Sequence, residues 1–141
     1  VVRLFGFDPK VAFVSHSTFG QPITSRTKHI KRAVDILKEK NVDFEFDGDM
    51  QPDVALNKEY KDLYPFSNIV GNANILIMPG QHSAAISYKM MKELGDTKVI
   101  GPLLIGLGLP IEIAPLRTST SELINLASIA AYSADVIDYK K

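Results

Sequence analysis

The sequence predicts an α/β fold, a three-layer αβα sandwich built around a mostly parallel sheet. Short, almost wholly apolar runs recur along the chain, and such runs are typical of strands that are buried on both faces. Most of these runs are followed by a segment with the apolar period of an amphipathic helix. The resulting order, βαβ…βαββα, favours parallel strands joined by helical crossovers, with only the last strand or two antiparallel.

The first strand and the loop after it form the first candidate site. Residues 1–5 have the pattern of the end of an amphipathic helix that Gly6 terminates, and Val11 to Ser15 is predicted to be a buried strand. Hydroxyl and backbone N–H groups at the carboxyl end of a parallel strand could hold a phosphate. Turn formation, in which Ser and Thr bond to nearby backbone, explains the same residues more simply. The candidate ligands in this loop are Ser15, Ser17, Thr18 and Gly20.

A helix and a short strand are predicted next. The helix runs from Ser25 to Lys40, and residues 44–46 alternate as a strand that is expected to end in the acidic segment 47–53. The aspartates of this segment lack the spacing and the terminal Glu of an EF-hand, so loop solvation or a polar cleft edge is the better interpretation. The predicted buried face of the helix is Ile30, Ala33, Val34 and Leu37, and its predicted solvated side includes Lys28, Lys31 and Lys38.

The middle of the chain contains a second strand–helix unit. Residues 54–64 are predicted to be short helical or irregular structure, and residues 66–72 a connection that Gly71 closes. Ala73 to Met78 is a wholly apolar run and therefore a predicted buried strand. Ser83 to Leu94 has helical periodicity. Its predicted inward side chains are Ile86, Met90, Met91 and Leu94.

The segment from Lys98 to Ile111 is predicted to be the central strand, a glycine-rich turn and the start of another strand, Ile111 to Ala114. Gly101-Pro102 predicts a kink within the first of these strands. The glycines do not form a phosphate-binding P-loop, because no Lys-Ser or Lys-Thr follows them.

The last predicted helix begins at a capping box, Ser119 to Glu122, and continues to about Ala134. Its apolar residues cover most of its circumference, which indicates a helix that is buried or lies in a subunit interface. A two-fold homodimer is the simplest such interface. The apolar residues are Leu123, Ile124, Leu126, Ala127, Ile129, Ala130 and Ala131, and the predicted interface residues among them are Leu123, Leu126, Ala127, Ala130 and Ala131.

Composition excludes several classes of function. The 141 residues suit a single domain, and 16 basic and 16 acidic residues give no net charge and no basic patch for nucleic acid. No cysteine is present, so thiolate metal sites and disulfides are excluded, and no apolar run reaches the roughly 18 residues of a membrane span. A cytoplasmic protein is the expectation. The histidines are scattered, and no nucleophile elbow or dinucleotide fingerprint is found, so no catalytic or metal-binding residue is predicted.

An ordered set of short motifs resembles the second half of the phosphate acetyl/butyryltransferase family. The similarity runs from about Pro9 to Ala134, and it is closest to the C-terminal, phosphotransacetylase-like domain of large bacterial NADP-dependent malic enzymes. The motifs are Lys10–Gly20, Asp47–Ala55, Tyr64–Ser67, Gly71–Asn74 with Pro79, Tyr88-Lys89, Leu94-Gly95, Ile100–Pro102, Gly106-Leu107 with Pro110, and Leu126–Tyr132.

The resemblance implies a fold like that of isocitrate and isopropylmalate dehydrogenases, and a chain that is the C-terminal portion of a longer protein. It implies a parent enzyme that decarboxylates malate oxidatively to pyruvate with NADP and a divalent metal, Mg or Mn, in an upstream portion. Within this chain no cofactor is expected. The implied partners are a second copy and the upstream malic-enzyme domain, and acetyl-CoA is an implied effector.

The chain departs from the family where active transferases carry Ser-Arg-Gly and, further on, an Asp. Pro115 and Leu116 stand in place of the Ser and Arg, and Glu122 replaces the Asp. Asp53 and the displaced Arg117 complete the predicted effector or phosphate site. Three hypotheses follow: a non-catalytic regulatory and oligomerisation domain, a working phosphate acyltransferase, and a dimerisation module with a dead cleft. The missing Ser and Arg argue against the second, and the sequence does not separate the first from the third.

Overall fold

The computed structural model describes residues 2–95 and 97–136, which form two compact units, one within Val2–Ser87 and one within Tyr88–Lys141. The first unit begins with a 3-10 turn at Val2–Phe5, and α4 (Gln81–Leu94) begins in the first unit and ends in the second. The second unit also contains α5 (Thr120–Val136). The other elements of the first unit are β1 (Lys10–Val14), α1 (Ser25–Glu39), β2 (Glu45–Met50), α2 (Pro52–Leu56), α3 (Lys58–Lys61) and β3 (Ile75–Ile77).

The described strands form one parallel sheet with β1 at its centre and the order β2-β1-β3. Ala12 of β1 lies opposite Asp47 of β2 on one side and opposite Leu76 of β3 on the other. The predicted α/β class and parallel sheet are therefore confirmed. Because the strands are parallel, their carboxyl ends lie at one edge of the sheet, where ligands bind in folds of this kind.

β2 extends further than the sequence predicts. The sequence predicts that the strand 44–46 ends in an acidic segment that is a solvated loop or a polar cleft edge. The structure instead continues the strand through Met50 and buries Asp47 and Asp49 to 5% and 2% exposure. This correction has a tertiary cause. β1 offers backbone partners beyond residue 46, and strand pairing overrides the low β-propensity of Asp and Gly.

A bulge near the end of β2 positions Asp49. Phe13 lies opposite Gly48, but the next residue, Val14, lies opposite Met50, so Asp49 is the extra residue of β2. Gly48 has a φ of 150°, and a Cβ at this position would lie 2.7 Å from both Cβ and O of Phe13. Only glycine therefore fits here.

α1 has the bounds and the buried face that its sequence predicts. Thr24 Oγ1 accepts a hydrogen bond from the Thr27 amide (3.2 Å), and Thr27 Oγ1 accepts one from the Thr24 amide (2.8 Å), which caps the helix. Val34 is 2% exposed. Ile30, Ala33 and Leu37 are partly buried, so the predicted face is confirmed.

The core of the first unit lies where the sheet meets α2. Ala12, Met50 and Ala55 have no exposed surface, and Val54, Ile69 and Ala73 complete the cluster. The Ala73 amide donates to the Ala55 carbonyl at 2.8 Å. The segment that leads into β3 is thereby attached to α2 and to the acidic end of β2.

The strands predicted at 98–105 and 111–114 are wrong. The structure describes residues 97–119 without any strand. A strand needs neighbouring backbone to satisfy its N–H and C=O groups, and Pro102 and Pro110 have no N–H to contribute. Without such a neighbour the apolar side chains stay exposed, Ile105 to 69% and Leu109 to 66%.

The buried face predicted for the fourth helix is also wrong. The helix itself is confirmed at Gln81–Leu94, but Ile86 is 57% exposed and Leu94 is 82% exposed, and both Met90 and Met91 are exposed. Helical periodicity shows which apolar side chains share one face of the helix. Burial of that face also requires an apolar surface from another part of the protein. No described residue buries this face.

α5 begins with the predicted capping box. The Ser119 amide donates to Glu122 Oε2 (2.8 Å), and the Glu122 amide donates to Ser119 Oγ (3.3 Å). Leu126 is the buried residue of this helix, whereas Leu123 and Ile124 are 47% and 61% exposed. Its role as an interface stays a prediction.

In the part of the chain that the structure describes, every helix is too short or too polar to cross a membrane.

Candidate functional site

The loop after β1 turns its polar side chains inward. Ser15, Ser17 and Thr18 are at most 8% exposed. The Ser15 amide donates to the Met50 carbonyl (2.9 Å), and the Ser17 amide donates to Ser15 Oγ (3.3 Å). Thr18 and Gln21 exchange backbone hydrogen bonds of 3.2 Å. These bonds are the turn chemistry that the sequence offered as the alternative to phosphate binding.

Asp49 organises this loop through its carboxylate and its backbone. Oδ1 accepts from the Gly20 amide at 3.0 Å, Oδ2 accepts from the Ser17 hydroxyl, and the backbone carbonyl accepts from the Phe19 amide at 2.6 Å. Thr18 Oγ1 accepts from the Gln51 amide at 3.2 Å. A phosphate bound by the two hydroxyls would therefore compete with hydrogen bonds already made within the protein.

Asp47 connects β2 to the segment after α3. Its Oδ1 accepts from the Gly48 amide at 2.9 Å and its Oδ2 accepts from the Asn68 amide at 2.7 Å. Both buried aspartates are thus held by N–H or O–H donors. Among the described residues, no group of His, Asp and Glu side chains is arranged to hold a metal ion.

An open cleft of about 450 Å³ lies beside this edge of the sheet. We call it the α1 cleft, because residues 27–38 of α1 form one side of it. Residues 19–23, residues 47–49 of β2, and Phe66 with Asn68 complete its lining. Small-molecule sites generally have volumes of about 300–1,000 Å³, so this cleft is large enough for one.

The α1 side of the cleft is cationic. Lys28, Lys31 and Lys38 line it and are exposed, as the sequence predicts for this side of the helix. Among the described residues, none of these three ammonium groups lies within 4 Å of a carboxylate. Asp35 lines the same side between Lys31 and Lys38 without forming an ion pair of that length.

The cleft is also lined by aromatic side chains, Phe19 and Phe66. The ring centroids of Phe19 and Phe66 lie 4.8 Å apart in an edge-to-face arrangement, and Tyr64 lies 5.5 Å from Phe19. Phe66 lines the cleft although its side chain is 64% exposed. An aromatic ring left this open offers a face on which a planar ligand could stack.

The second unit has a smaller cavity of about 140 Å³ at the start of α5. Ile100, Pro115, Arg117 and Thr118 are among its lining residues. The Thr118 amide donates to the Pro115 carbonyl at 3.0 Å and forms the turn before the helix. This turn carries the positions at which the family resemblance places Ser-Arg-Gly.

Glu122 in the same unit is held by several donors. Lys92 Nζ donates to its Oε1 at 2.8 Å, and both the amide and the hydroxyl of Ser119 donate to its Oε2 at 2.8 Å. The hydrogen bond from Lys92 and those from Ser119 lower the pKa of Glu122 to about 2. The same bond raises the pKa of Lys92 above its usual value. The carboxylate at the position where the resemblance places an Asp is therefore ionised and engaged in a helix cap.

The predicted site residues fall into three places. Ser15, Ser17, Thr18 and Gly20 share the loop after β1, as the sequence predicts. Asp53 is exposed in the first turn of α2, where its Oδ1 accepts from the adjacent Val54 amide at 2.9 Å. Arg117 is exposed and belongs to the second unit. Their assignment to an effector site stays a prediction.

Sequence reasoning offered a polar cleft edge for residues 47–53, but it missed that α1 and Phe66 complete the α1 cleft. Asp47 and Asp49 alternate along a strand and precede its carboxyl end, a pattern that predicts two side chains on one face. That signal was present in the sequence. The juxtaposition of Phe66 with Lys28 and Lys31 had no local signal, because these residues are far apart in the chain and only the fold brings them to one cleft.

Comparison with known proteins gives a consistent family. The family model described as "Phosphate acetyl/butaryl transferase" matches residues 1–131. The NADP-dependent malic enzyme of Rhizobium meliloti is 48% identical over 134 residues, which are 95% of this chain and 18% of that enzyme. The phosphate acetyltransferase of Clostridium acetobutylicum is 34% identical over 133 residues, which are 94% of this chain and 40% of that protein.

A solved structure agrees with the sequence matches. The EutD phosphotransacetylase from Staphylococcus aureus superposes with a TM-score of 0.85 at 30% identity, over 94% of this chain and 42% of that protein. The chain thus spans less than half the length of each relative described here. The motifs, the parallel sheet and these matches agree, and the chain belongs to the phosphate acetyl/butaryl transferase family.

Proposed function

We propose that this chain is the phosphotransacetylase-like part of a malic enzyme and that it regulates the parent enzyme without catalysing acyl transfer. Higher identity to a malic enzyme (48%) than to a phosphate acetyltransferase (34%) supports the choice of parent. NADP, the divalent metal and the oxidative decarboxylation of malate belong, in this proposal, to another part of the parent.

One observation supports the proposed lack of acyl transfer, namely the side chains of Pro115 and Leu116. These hydrocarbon groups stand where active family members have Ser and Arg, and they can neither donate a hydrogen bond to phosphate nor neutralise its charge. Leu116 projects fully into solvent, at 106% relative exposure. Glu122, at the family's Asp position, is already engaged by Lys92 and Ser119.

The test is an assay of acetyl phosphate with coenzyme A in the full-length protein. We expect no turnover above background. A rate in the ordinary enzyme range of roughly 1–1,000 per second would contradict the proposal and restore the transferase hypothesis. The double variant Pro115→Ser/Leu116→Arg is the informative companion, because partial recovery of activity would show that these positions alone were limiting.

An effector role requires that acetyl-CoA bind two states of the parent enzyme with different affinity. The predicted contacts are the loop of Ser15, Ser17, Thr18 and Gly20, with Asp53 and Arg117. Thermal unfolding of the full-length protein with acetyl-CoA measures this binding, since a ligand at 100 times its Kd stabilises by about 2.7 kcal/mol. No stabilisation at millimolar acetyl-CoA, or stabilisation unchanged by Arg117→Gln, would contradict the assignment.

Self-association through α5 is the second part of the proposed role. The exposed Leu123 and Ile124 and the small Ala127 and Ala131 form a surface on which a second copy could pack closely. Ala130 is only partly exposed, whereas Ala127 is exposed, so Ala127→Glu places the charge on this surface more directly. We expect light scattering to report a dimer that Ala127→Glu dissociates and Ser121→Glu leaves intact. A monomeric wild type would exclude the dimerisation hypothesis.

A further inference from the structure

We propose that the α1 cleft binds an organic phosphate that carries a planar ring, a ligand of the nucleotide class. The phosphate lies between Lys28 and Lys31, and the ring lies on Phe66. This inference rests on the geometry of the cleft, and it does not require acetyl-CoA to be the effector of the parent enzyme.

The phosphate position follows from the charges along α1. Lys28 and Lys31 are three residues apart, so their side chains leave the same helix face about one turn apart and can converge on one anion. Asp35 lies four residues after Lys31 and three before Lys38, and its negative charge disfavours an anion at that end of the cleft. The end near Lys28, Gln21 and Thr27 therefore remains as the anionic subsite.

The aspartates at the base of the cleft do not oppose this assignment. Asp47 and Asp49 are buried, and each carboxylate accepts two hydrogen bonds from the protein. Both carboxylates are thus buried and accept N–H or O–H donors, whereas the three lysines that line the cleft make no ion pair with any described residue. The exposed charged side chains on the α1 side of the cleft are these three lysines and Asp35, so their net charge is positive.

The ring position follows from the aromatic residues. Phe66 lines the cleft at 64% exposure and packs edge-to-face with Phe19, with the ring centroids 4.8 Å apart. Stacking of a base on such a ring is tolerant of base identity, so it selects a planar ring and leaves the kind of nucleotide open. A pair of lysines alone could bind inorganic phosphate. The aromatic residues are the feature that favours a phosphate with a planar ring, as in a nucleotide.

The experiment is calorimetric titration of the full-length protein with ADP, with pyrophosphate as the probe without a ring. Charged hydrogen bonds and base stacking each contribute roughly a factor of ten in affinity. We expect ADP binding to weaken about tenfold in Lys28→Gln or Phe66→Ala and about a hundredfold in Lys28→Gln/Lys31→Gln. Lys40→Gln/Lys58→Gln, which removes the same charge outside the cleft, is the matched control and should bind ADP like wild type.

Each outcome decides a part of the proposal. Absence of ADP binding at millimolar concentration, or isotherms that superimpose for wild type and the double cleft variant, would overturn it. Pyrophosphate that binds as tightly as ADP would overturn the role of the ring. Competition between acetyl-CoA and ADP would identify the coenzyme's own nucleotide as the ligand, whereas ADP binding unaffected by acetyl-CoA supports a free nucleotide. In the latter case the effector proposal can fail while this one stands.

Discussion

Apolar segments are buried to different extents in the two compact units of this chain. In the first unit, β1 and β2 pair, and Ala12, Met50 and Ala55 are removed completely from solvent. In the second unit, the apolar segment 98–113 forms no strand, and Leu126 is the one buried apolar residue among those described. The difference shows that an apolar run becomes a core strand only where a second backbone is available to pair with it.

The contrast agrees with how the chain matches its relatives. It spans 42% of the Staphylococcus aureus phosphotransacetylase with a TM-score of 0.85. The first unit buries Ser15, Ser17 and Thr18 of the loop after β1. The second unit leaves Ile105 and Leu109 both above 60% exposure.

The largest expected difference between the two units is in their amide hydrogen-exchange rates. Amides of β1 open only by unpairing the sheet, whereas those of residues 99–113 lack a described ladder, so we expect the latter to exchange at least roughly a thousandfold faster. Mass-spectrometric exchange of the 141-residue chain measures this ratio. The same peptides in the full-length protein provide the comparison. Equal protection of both segments in the short chain would contradict the difference between the units.

Two methionines give a matched test of packing. Met50 has no exposed surface, and Met50→Ala should lower the free energy of unfolding by about 2–5 kcal/mol. Met91 is 58% exposed, and Met91→Ala should change it by less than about 0.5 kcal/mol. Urea denaturation measures both. A cost for Met91→Ala that equals the cost for Met50→Ala would show that the surface of α4 is covered in solution.

Two aspartates test the polar side of the first unit. Asp49→Ala leaves the Ser17 hydroxyl and the Gly20 amide without their acceptor, so we expect a loss of about 2–3 kcal/mol. Asp53→Ala removes only an acceptor for the adjacent amide at an exposed helix start, and about 0.5 kcal/mol is expected. Chemical denaturation compares the two variants. Equal losses would refute the organising role given to Asp49.

The helix cap of α5 provides a smaller, pH-dependent effect in the second unit. Ser119→Ala should cost about 1 kcal/mol, because it removes the hydroxyl that caps the helix. The pKa of Glu122 is lowered to about 2, so its stabilising contribution is present above its ordinary pKa of about 4.5 and disappears as the pH falls towards 2. Glu122→Gln should remove this part of the acid dependence of helicity. An acid transition in circular dichroism that is identical in wild type and Glu122→Gln would contradict the assignment.

The smallest expected effect concerns the lysines of α1. The first turn of this helix has no acidic residue, and Lys28 lies near the positive end of the helix dipole. Lys28→Glu should therefore raise the free energy of unfolding by about 0.3–1 kcal/mol, while Lys38→Glu in the last turn should lower it by a similar amount. Thermal denaturation at low salt measures both signs. A stabilised Lys28→Glu that no longer binds ADP would indicate that this position trades stability for binding.

Much of the first unit was predictable from the sequence. The apolar run before Ser15 and the periodic face of α1 with Val34 at its centre each report a local preference, and the structure has them where predicted. The capping box at Ser119 in the second unit is confirmed in the same way. The end of β2 was not predictable in this way. Asp47 pairs with Ala12 of β1 and accepts from Asn68, and Asp49 accepts from Ser17 and Gly20, all of which are distant in sequence.

The sequence by itself determined which segments favour strand and helix, since periodicity and capping depend on neighbours within a few residues. It also carried the family motifs, and Pro115 and Leu116 at the positions where the resemblance places Ser and Arg. Only the tertiary structure decided which apolar runs became strands and which hydroxyls were already bonded. It also decided that Lys28 and Phe66 line one cleft, because long-range pairing and burial depend on backbone and side chains that the local sequence does not contain.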